Sequence, residues 1–269
     1  MATNEYIQSV LAKAISNVGY IRTLEGSQDE NAALIGTLSN GRTQYDLEGI
    51  TKFSAFISKV QHNFLWYDYP VSFGLLHKHA LEIDVFTAYL PSYQENKKNT
   101  SLNRNEKIER FITFLKTFLS SKKSKKHQTI LYAVEHEDSI RRLKEQGKNS
   151  EKIKLSRPKL ISPGSIVKIN GFFHIHHFSI TPDDIAGSAS SGKNITFSRR
   201  KGIYVYWIDA QKKDLKIITI TKEVEAVLHF INDSNTVADI VRKCGRTIGS
   251  DSASDVLLLL FKHKIIYLK

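Results

Sequence analysis

The sequence predicts an α+β fold: a helical N-terminal domain, residues 1–159, followed by a winged-helix domain of three short strands and three helices, residues 160–269. Three observations carry this. Apolar residues recur at helical spacing through most of the first half. At Pro158 the texture changes to short, alternating, β-branched runs. Residues 203–268 then read as strands, three short helices and a closing strand. With 41% hydrophobic and 10% aromatic residues in 269, the chain has material for a core.

The elements follow in order. In residues 5–18, Ile7, Val10, Leu11, Ala14 and Ile15 have helical spacing. Residues 20–50 are polar and carry four Gly, a loop pattern. Phe53, Phe56, Ile57, Val60 and Phe64 form one helical stripe, which predicts that this face is buried. Pro70 punctuates the chain before a short helix from Val71 to Leu76, and Ile83 to Leu90 continues as helix until Pro91. Residues 92–105 read as a polar linker. Ile108, Phe111, Ile112, Leu115, Phe118 and Leu119 define three turns of amphipathic helix. Thr129 to Val134 is short, β-branched and aromatic, which predicts a strand, and 138–156 a charged helix.

In the second half, residues 160–180 alternate, with Gly164 and Gly171 as turn residues, and 183–194 read as a flexible loop. Ile195 to Phe197, Ile203 to Ile208 and Leu215 to Ile220 are three short strands, the last two joined by a turn at Ala210 to Lys213. Thr221 is an N-cap for a helix carrying Val224, Val227, Leu228 and Ile231. Asn232 to Asn235 breaks it. Thr236 with Asp239 resembles a capping box for the next helix, which Gly245 ends. Ser252 with Asp255 caps a third helix through Val256 to Phe261. Lys262, His263 and Lys264 complement its C-terminal dipole. Ile265 to Leu268 is a terminal strand.

The net charge of +12 is uneven. Residues 1–96 carry −4, residues 97–159 carry +11 and residues 160–269 carry +5. The middle segment includes Lys97-Lys98, the lysines at 122, 123, 125 and 126, Arg141-Arg142 and the run from Lys152 to Lys159. Such a segment attracts phosphates or an acidic surface, so nucleic acid is a candidate partner through 97–159. The single cysteine, Cys244, excludes an internal disulfide and a multi-cysteine zinc module. No apolar run has membrane-spanning length and the N-terminus carries no secretory pattern, so the expectation is a cytoplasmic protein with no membrane partner.

The hairpin YVYWIDAQKKDLKIITI, then TKEVEAVLHFINDSNTVADIVRKC and SASDVLLLLFKHKIIYL, bring the argument to a family. Tyr204 to Leu268 resembles PqqD-like peptide-recognition domains, the RiPP recognition elements. Ser234-Asn235 stand where those domains usually carry Gly. The resemblance implies binding of a precursor leader peptide as an added strand beside Leu215 to Ile220, against the third helix. On this chain it implies peptide-binding residues Leu215, Ile217, Thr219, Val256, Leu259 and Leu260. Further upstream are Tyr69-Pro70, Leu75-Leu76, Phe86 to Leu90 before Pro91, and the Phe111 to Leu119 helix. In these pieces residues 66–93 and beyond resemble helical partner proteins of multinuclear non-haem iron oxidases in ribosomal peptide maturation. That likeness implies a hetero-oligomeric partner enzyme that holds the iron, with no cofactor in this chain.

Intrinsic chemistry is sparse. The sequence has no Gly-x-Ser-x-Gly, Walker loop or His-Glu-x-x-His. His174 and His176 share a strand face and could chelate together, and His136 with Asp138 could complete a two-His, one-carboxylate set. The stretch from Pro163 and Gly164 to Ile169 is similar to the second motif of cupins, which makes a cupin-like iron enzyme the third reading. His77 and His79 diverge on a helix. Cys244 has Lys243 and Arg246 beside it, which favours a thiolate, or it packs a helix end. No metal site and no catalytic residue are assigned to this chain. The reading is a non-catalytic partner that presents a leader peptide to a metal-dependent enzyme. A winged-helix nucleic-acid binder is the second reading.

Overall fold

In the computed structural model the described residues are 47–97, 102–149, 161–190, 197–198, 200–232 and 234–269. The expected helix at 5–18, positions 20–46 of the expected loop at 20–50, and positions 195 and 196 of the first of the three expected strands lie outside them. Among the described residues the fold is α+β, with ten helices and two small antiparallel sheets. The chain divides into two compact units, Met1–Val134 and Glu135–Lys269.

The first unit is helical: α1 (Leu47–Gln61), α2 (Leu65–Asp68), α3 (Pro70–Lys78), α4 (Glu82–Lys97), α5 (Arg104–Ser120) and the opening turns of α6 (Lys125–Asn149). Pro70 sits at the start of α3, where its missing N–H costs nothing. Asn103 opens α5 with a capping box: its side chain accepts from the Glu106 N–H, and Glu106 accepts from the Asn103 N–H. The core is aromatic. The Phe86 and Phe111 rings stack at 5.0 Å, Tyr89 meets Phe111 edge-on at 5.0 Å, and Phe73 stacks on Phe111 at 6.0 Å. His62, buried among these rings, donates from Nδ1 to the Ser58 carbonyl at 2.7 Å, and burial holds its pKa below the usual histidine value.

Three expectations fail here. First, α1 turns Phe53, Phe56 and Val60 to solvent, at 49%, 47% and 55% exposure, and buries Ser54, Ala55 and Ser58. α1 packs on α4, and small side chains allow that approach. Second, α4 runs through Pro91 to Lys97, so the polar linker is shorter than its composition suggests. Third, Thr129 to Val134 is helical, not a strand, and belongs to the 25 residues of α6. Thr129 Oγ1 donates to the Lys125 carbonyl one turn back, at 3.0 Å. A helix segment buried on nearly every side gives the same continuous apolar run as a buried strand.

The second unit holds the sheets. β2 (Gly171–Phe178), β3 (Gly202–Asp209) and β4 (Leu215–Ile220) form an antiparallel meander in the order β2-β3-β4. β1 (Val167–Ile169) pairs instead with β5 (Ile266–Leu268) as a separate two-stranded sheet. Between β2 and β3 lies the short helix α7 (Pro182–Gly187), capped by Thr181, where a loop was expected. After β4 come α8 (Lys222–Phe230), α9 (Val237–Ile248) and α10 (Ser250–Lys262). Thr221 caps α8 and the Thr236–Asp239 box caps α9, both as expected. α9 passes through Gly245, however, and stops at Gly249, whose φ of 87° suits only glycine. α10 then starts at Ser250, two residues before Ser252.

One face of the meander packs on this helical triad. Val205 and Trp207 of β3 share a core with Val227, Leu228, Ile240, Cys244, Leu257 and Leu260, and Ile218 and Ile220 of β4 lie against it. Asn170 ties this layer together: its Nδ2 donates to the Lys264 carbonyl at 2.9 Å, and its own carbonyl accepts the Trp207 indole N–H at 3.0 Å. The opposite face receives the second half of α6, through His136, Ser139 and Gly147. For that reason the two compact units part at Val134/Glu135, inside α6.

Candidate functional site

β4 is an edge strand, and its register shows which main-chain groups are open. The Asp209 N–H donates to the Asp214 carbonyl at 3.1 Å, so these two residues form a hydrogen-bonded pair. Pairing alternates along an antiparallel ladder. The pairs Trp207–Lys216, Val205–Ile218 and Ile203–Ile220 are therefore the bonded ones. Leu215, Ile217 and Thr219 turn their N–H and C=O away from β3, toward the free edge. Among the described residues no strand pairs with that edge.

Edge strands are normally blunted by charge, proline or a bulge. β4 has one lysine, Lys216, and that ammonium folds over the Trp207 ring, 5.5 Å from its centroid. Ile217 is 39% exposed. The strand thus carries apolar side chains on both faces, and among the described residues one side of it is unpaired.

The expected binding residues do not form one surface. Leu215, Ile217 and Thr219 pair with Ile208, Tyr206 and Tyr204, so their side chains lie on the α6 face of the sheet. α10 lies on the other face, with Lys216, Ile218 and Ile220. Leu260 is a core residue at 3% exposure, and Val256 is half-buried on the flank of the core. Leu259 is open at 48%, and so is Leu258 at 54%, a residue that spacing missed. The inward face of α10 is Ala253, Leu257 and Leu260. A helix turns about 100° per residue, so four consecutive leucines cannot all face inward.

The α6 face carries a layer of polar contacts. His136 Nδ1 and the Tyr206 hydroxyl are 2.7 Å apart, and Ser139 Oγ stands 2.6 Å from His176 Nε2 and 3.2 Å from His174 Nδ1. Burial holds His136 below the usual histidine value, against the nearby charge of Asp183. Burial, then Tyr204 and Glu135, raise the Tyr206 phenol. Both groups are therefore neutral near pH 7, and the phenol can donate to the imidazole. His136 and Asp138 do not converge with His174 and His176 on one point. Asp138 instead accepts from Arg142 Nε at 3.1 Å and from Arg141 at 3.3 Å. Among the described residues no group of three or more His, Cys, Asp or Glu is placed to hold a metal ion. The described strands of the second unit form a three-stranded meander and a two-stranded pair, not the closed barrel of a cupin.

Cys244 is fully buried, burial raises its thiol pKa, and Sγ lies 3.7 Å from the Ala226 carbonyl. It is a packing residue. α10 has no Arg or Lys before Lys262, and so lacks the side chains that most often read guanine in the major groove. Among the described residues no helix is long and apolar enough to cross a membrane. No known family model and no curated protein matches this chain.

Proposed function

We propose that this protein binds an extended peptide segment as a fourth strand beside β4, and that it serves as the non-catalytic, peptide-presenting partner of a modifying enzyme. The observation that carries the reading is the apolar, unblunted edge whose outward main-chain groups belong to Leu215, Ile217 and Thr219. The resemblance of Tyr204 to Leu268 to leader-binding domains supports the same edge. It also suggests the ligand, a precursor leader peptide, and the partner, a multinuclear non-haem iron enzyme holding the metal outside this chain. The helical first unit is the part assigned to docking that enzyme.

Main-chain bonds to the edge supply affinity, and side chains on alternate ligand positions supply specificity. Ligand positions level with Ile218 and Ile220 face the helical triad. Positions level with Ile217 face the α6 side. A bound strand thus reads both faces of the sheet.

The test uses proline to separate binding from folding. Peptides of about twelve residues are selected from a random display library on the full chain, and the enriched sequence is labelled for fluorescence anisotropy. Ile217→Pro and Thr219→Pro remove only outward N–H groups, which edge strands tolerate. Each should keep the far-UV spectrum and weaken the peptide by about tenfold or more, through the missing bond and the ring's bulk. Ile217→Asp should also abolish binding. If no peptide is enriched, or if the enriched peptide binds both proline variants unchanged, the added-strand reading is wrong.

A further inference from the structure

The outward edge of β4 is complementary to itself. Its outward main-chain groups belong to Leu215, Ile217 and Thr219, spaced evenly about Ile217. Two such edges can meet antiparallel about a twofold axis, with outward residues opposed in bonded pairs. The registers that allow this are not equal. Centred on Lys216, the pairing sets each Lys216 directly opposite its copy in a non-bonded pair, where side chains sit closest and like charges repel. Centred on Ile218, it sets Leu215 opposite Thr221, which lies outside the strand and caps α8. Centred on Ile217, it uses every outward residue of the strand. Leu215 then meets Thr219 of the second copy, Ile217 meets Ile217, and Thr219 meets Leu215.

The side chains agree with that register. Lys216 lies across from Ile218 and no charge opposes its like within the strand. Ile217, 39% exposed, comes to the twofold axis and is covered by its own copy. A large apolar residue exposed at the centre of a self-complementary edge is thus accounted for by the edge itself. The strand LKIITI contains no proline, and the ammonium of Lys216 is drawn back over the Trp207 ring. An edge without these guards invites another strand. An isologous contact consumes both β4 edges at once, so the addition does not propagate along them.

We propose that two copies of this chain pair through their β4 edges, antiparallel about Ile217, and that the pairing holds the peptide site shut until a peptide displaces it. The competition rests on the peptide reading above; the self-pairing does not. One short strand edge makes a transient contact rather than an obligate one. The second copy and the peptide need the same outward groups. Peptide therefore draws the dimer apart, and its apparent affinity falls as the chain becomes more concentrated.

Sedimentation velocity of the full chain, from about 5 to 500 μM, should show the mass rising from monomer toward dimer. Ile217→Pro and Thr219→Pro, each checked by far-UV spectrum, should stay monomeric over that range. Charge reads the register. Leu215→Glu with Thr219→Glu sets like charges opposite each other twice in the pair, and Leu215→Glu with Thr219→Lys sets opposite charges there. The second variant should dimerise about tenfold more tightly than the first, and both carry the same change at Leu215. Saturating peptide from the display selection should return the unsubstituted chain to monomer. A chain monomeric at every concentration, a dimer that survives both proline variants, or equal dimerisation of the two charge variants overturns the self-pairing; the peptide reading stands if those chains still bind the selected peptide. A dimer that keeps its mass with peptide bound overturns the competition. A dimer lost in both proline variants, with no peptide enriched, upholds the self-pairing and removes the peptide reading alone.

Discussion

Gly147 provides a measurement of how the second half of α6 seats on the sheet. A Cβ at this position would stand 2.6 Å from Ile208 Cδ1, but 3.5 Å from Cγ1 and 3.9 Å from Cγ2. One methyl group therefore makes the whole clash. Gly→Ala in a helix interior is worth about 1 kcal/mol of propensity. Overpacking a tight contact costs about 1–3 kcal/mol. Gly147→Ala alone should thus be neutral to destabilising by about 2 kcal/mol. Ile208→Val removes Cδ1 and by itself costs about 0.5–1.5 kcal/mol. In that background the alanine should recover its propensity gain of about 1 kcal/mol. The double-mutant cycle should therefore show a favourable coupling of about 1–3 kcal/mol. Urea unfolding followed at Trp207, in a Trp66→Phe background, reports the second unit. If Gly147→Ala stabilises equally with Ile or Val at 208, the helix does not approach the sheet at this point and the reasoning fails.

Three further expectations follow from single contacts. His62 and His136 both have pKa values below 6.5 through burial, so the unfolded chain takes up protons first as pH falls. The stability from their neutral forms is complete above pH 6.5 and drains away below it; the urea midpoint should drop from pH 7 to pH 5, with a smaller drop in His62→Gln and His136→Gln. Asn170→Ala should cost about 1–3 kcal/mol by orphaning the Lys264 carbonyl, and near-neutral urea unfolding would rule out that anchoring role. Thr236→Ala should cost about 1 kcal/mol by opening the cap of α9, while Thr236→Ser, which keeps the hydroxyl, should cost less than half of that in the same urea titration.

What could be read from the residues alone was mostly local. Thr221, and Thr236 with Asp239, announce helix starts because a side-chain oxygen three residues before a free N–H has one use. The bounds of β4 were legible because Asp214 and Thr221 punctuate a run that is β-branched from Ile217 to Ile220. What failed was partner choice. Nothing in FISKV says that α1 will bury its serines against α4 and leave its phenylalanines outside. TILYAV reads as a strand because α6 is enclosed there, and enclosure erases the helical period. The binding residues were misgrouped for a related reason. Spacing places Leu215, Ile217 and Thr219 on one face of β4, but which helix lies over that face is a tertiary fact. Their outward main-chain groups follow from a hairpin hydrogen bond that no residue pattern encodes.

The pairing of β1 with β5 has a kinetic consequence. Val167 meets Leu268, and the Ile166 and Lys269 main chains exchange bonds of 3.1 and 2.9 Å. During synthesis β1 emerges about a hundred residues before its partner, a loop whose closure is entropically slow. The β2-β3-β4 meander and the helix triad can collapse on neighbours already made, whereas β1 waits. Until Ile266 to Leu268 leave the ribosome, the nascent second unit carries an unmatched strand. Refolding of this unit should accordingly end with the zipping of its two most distant strands.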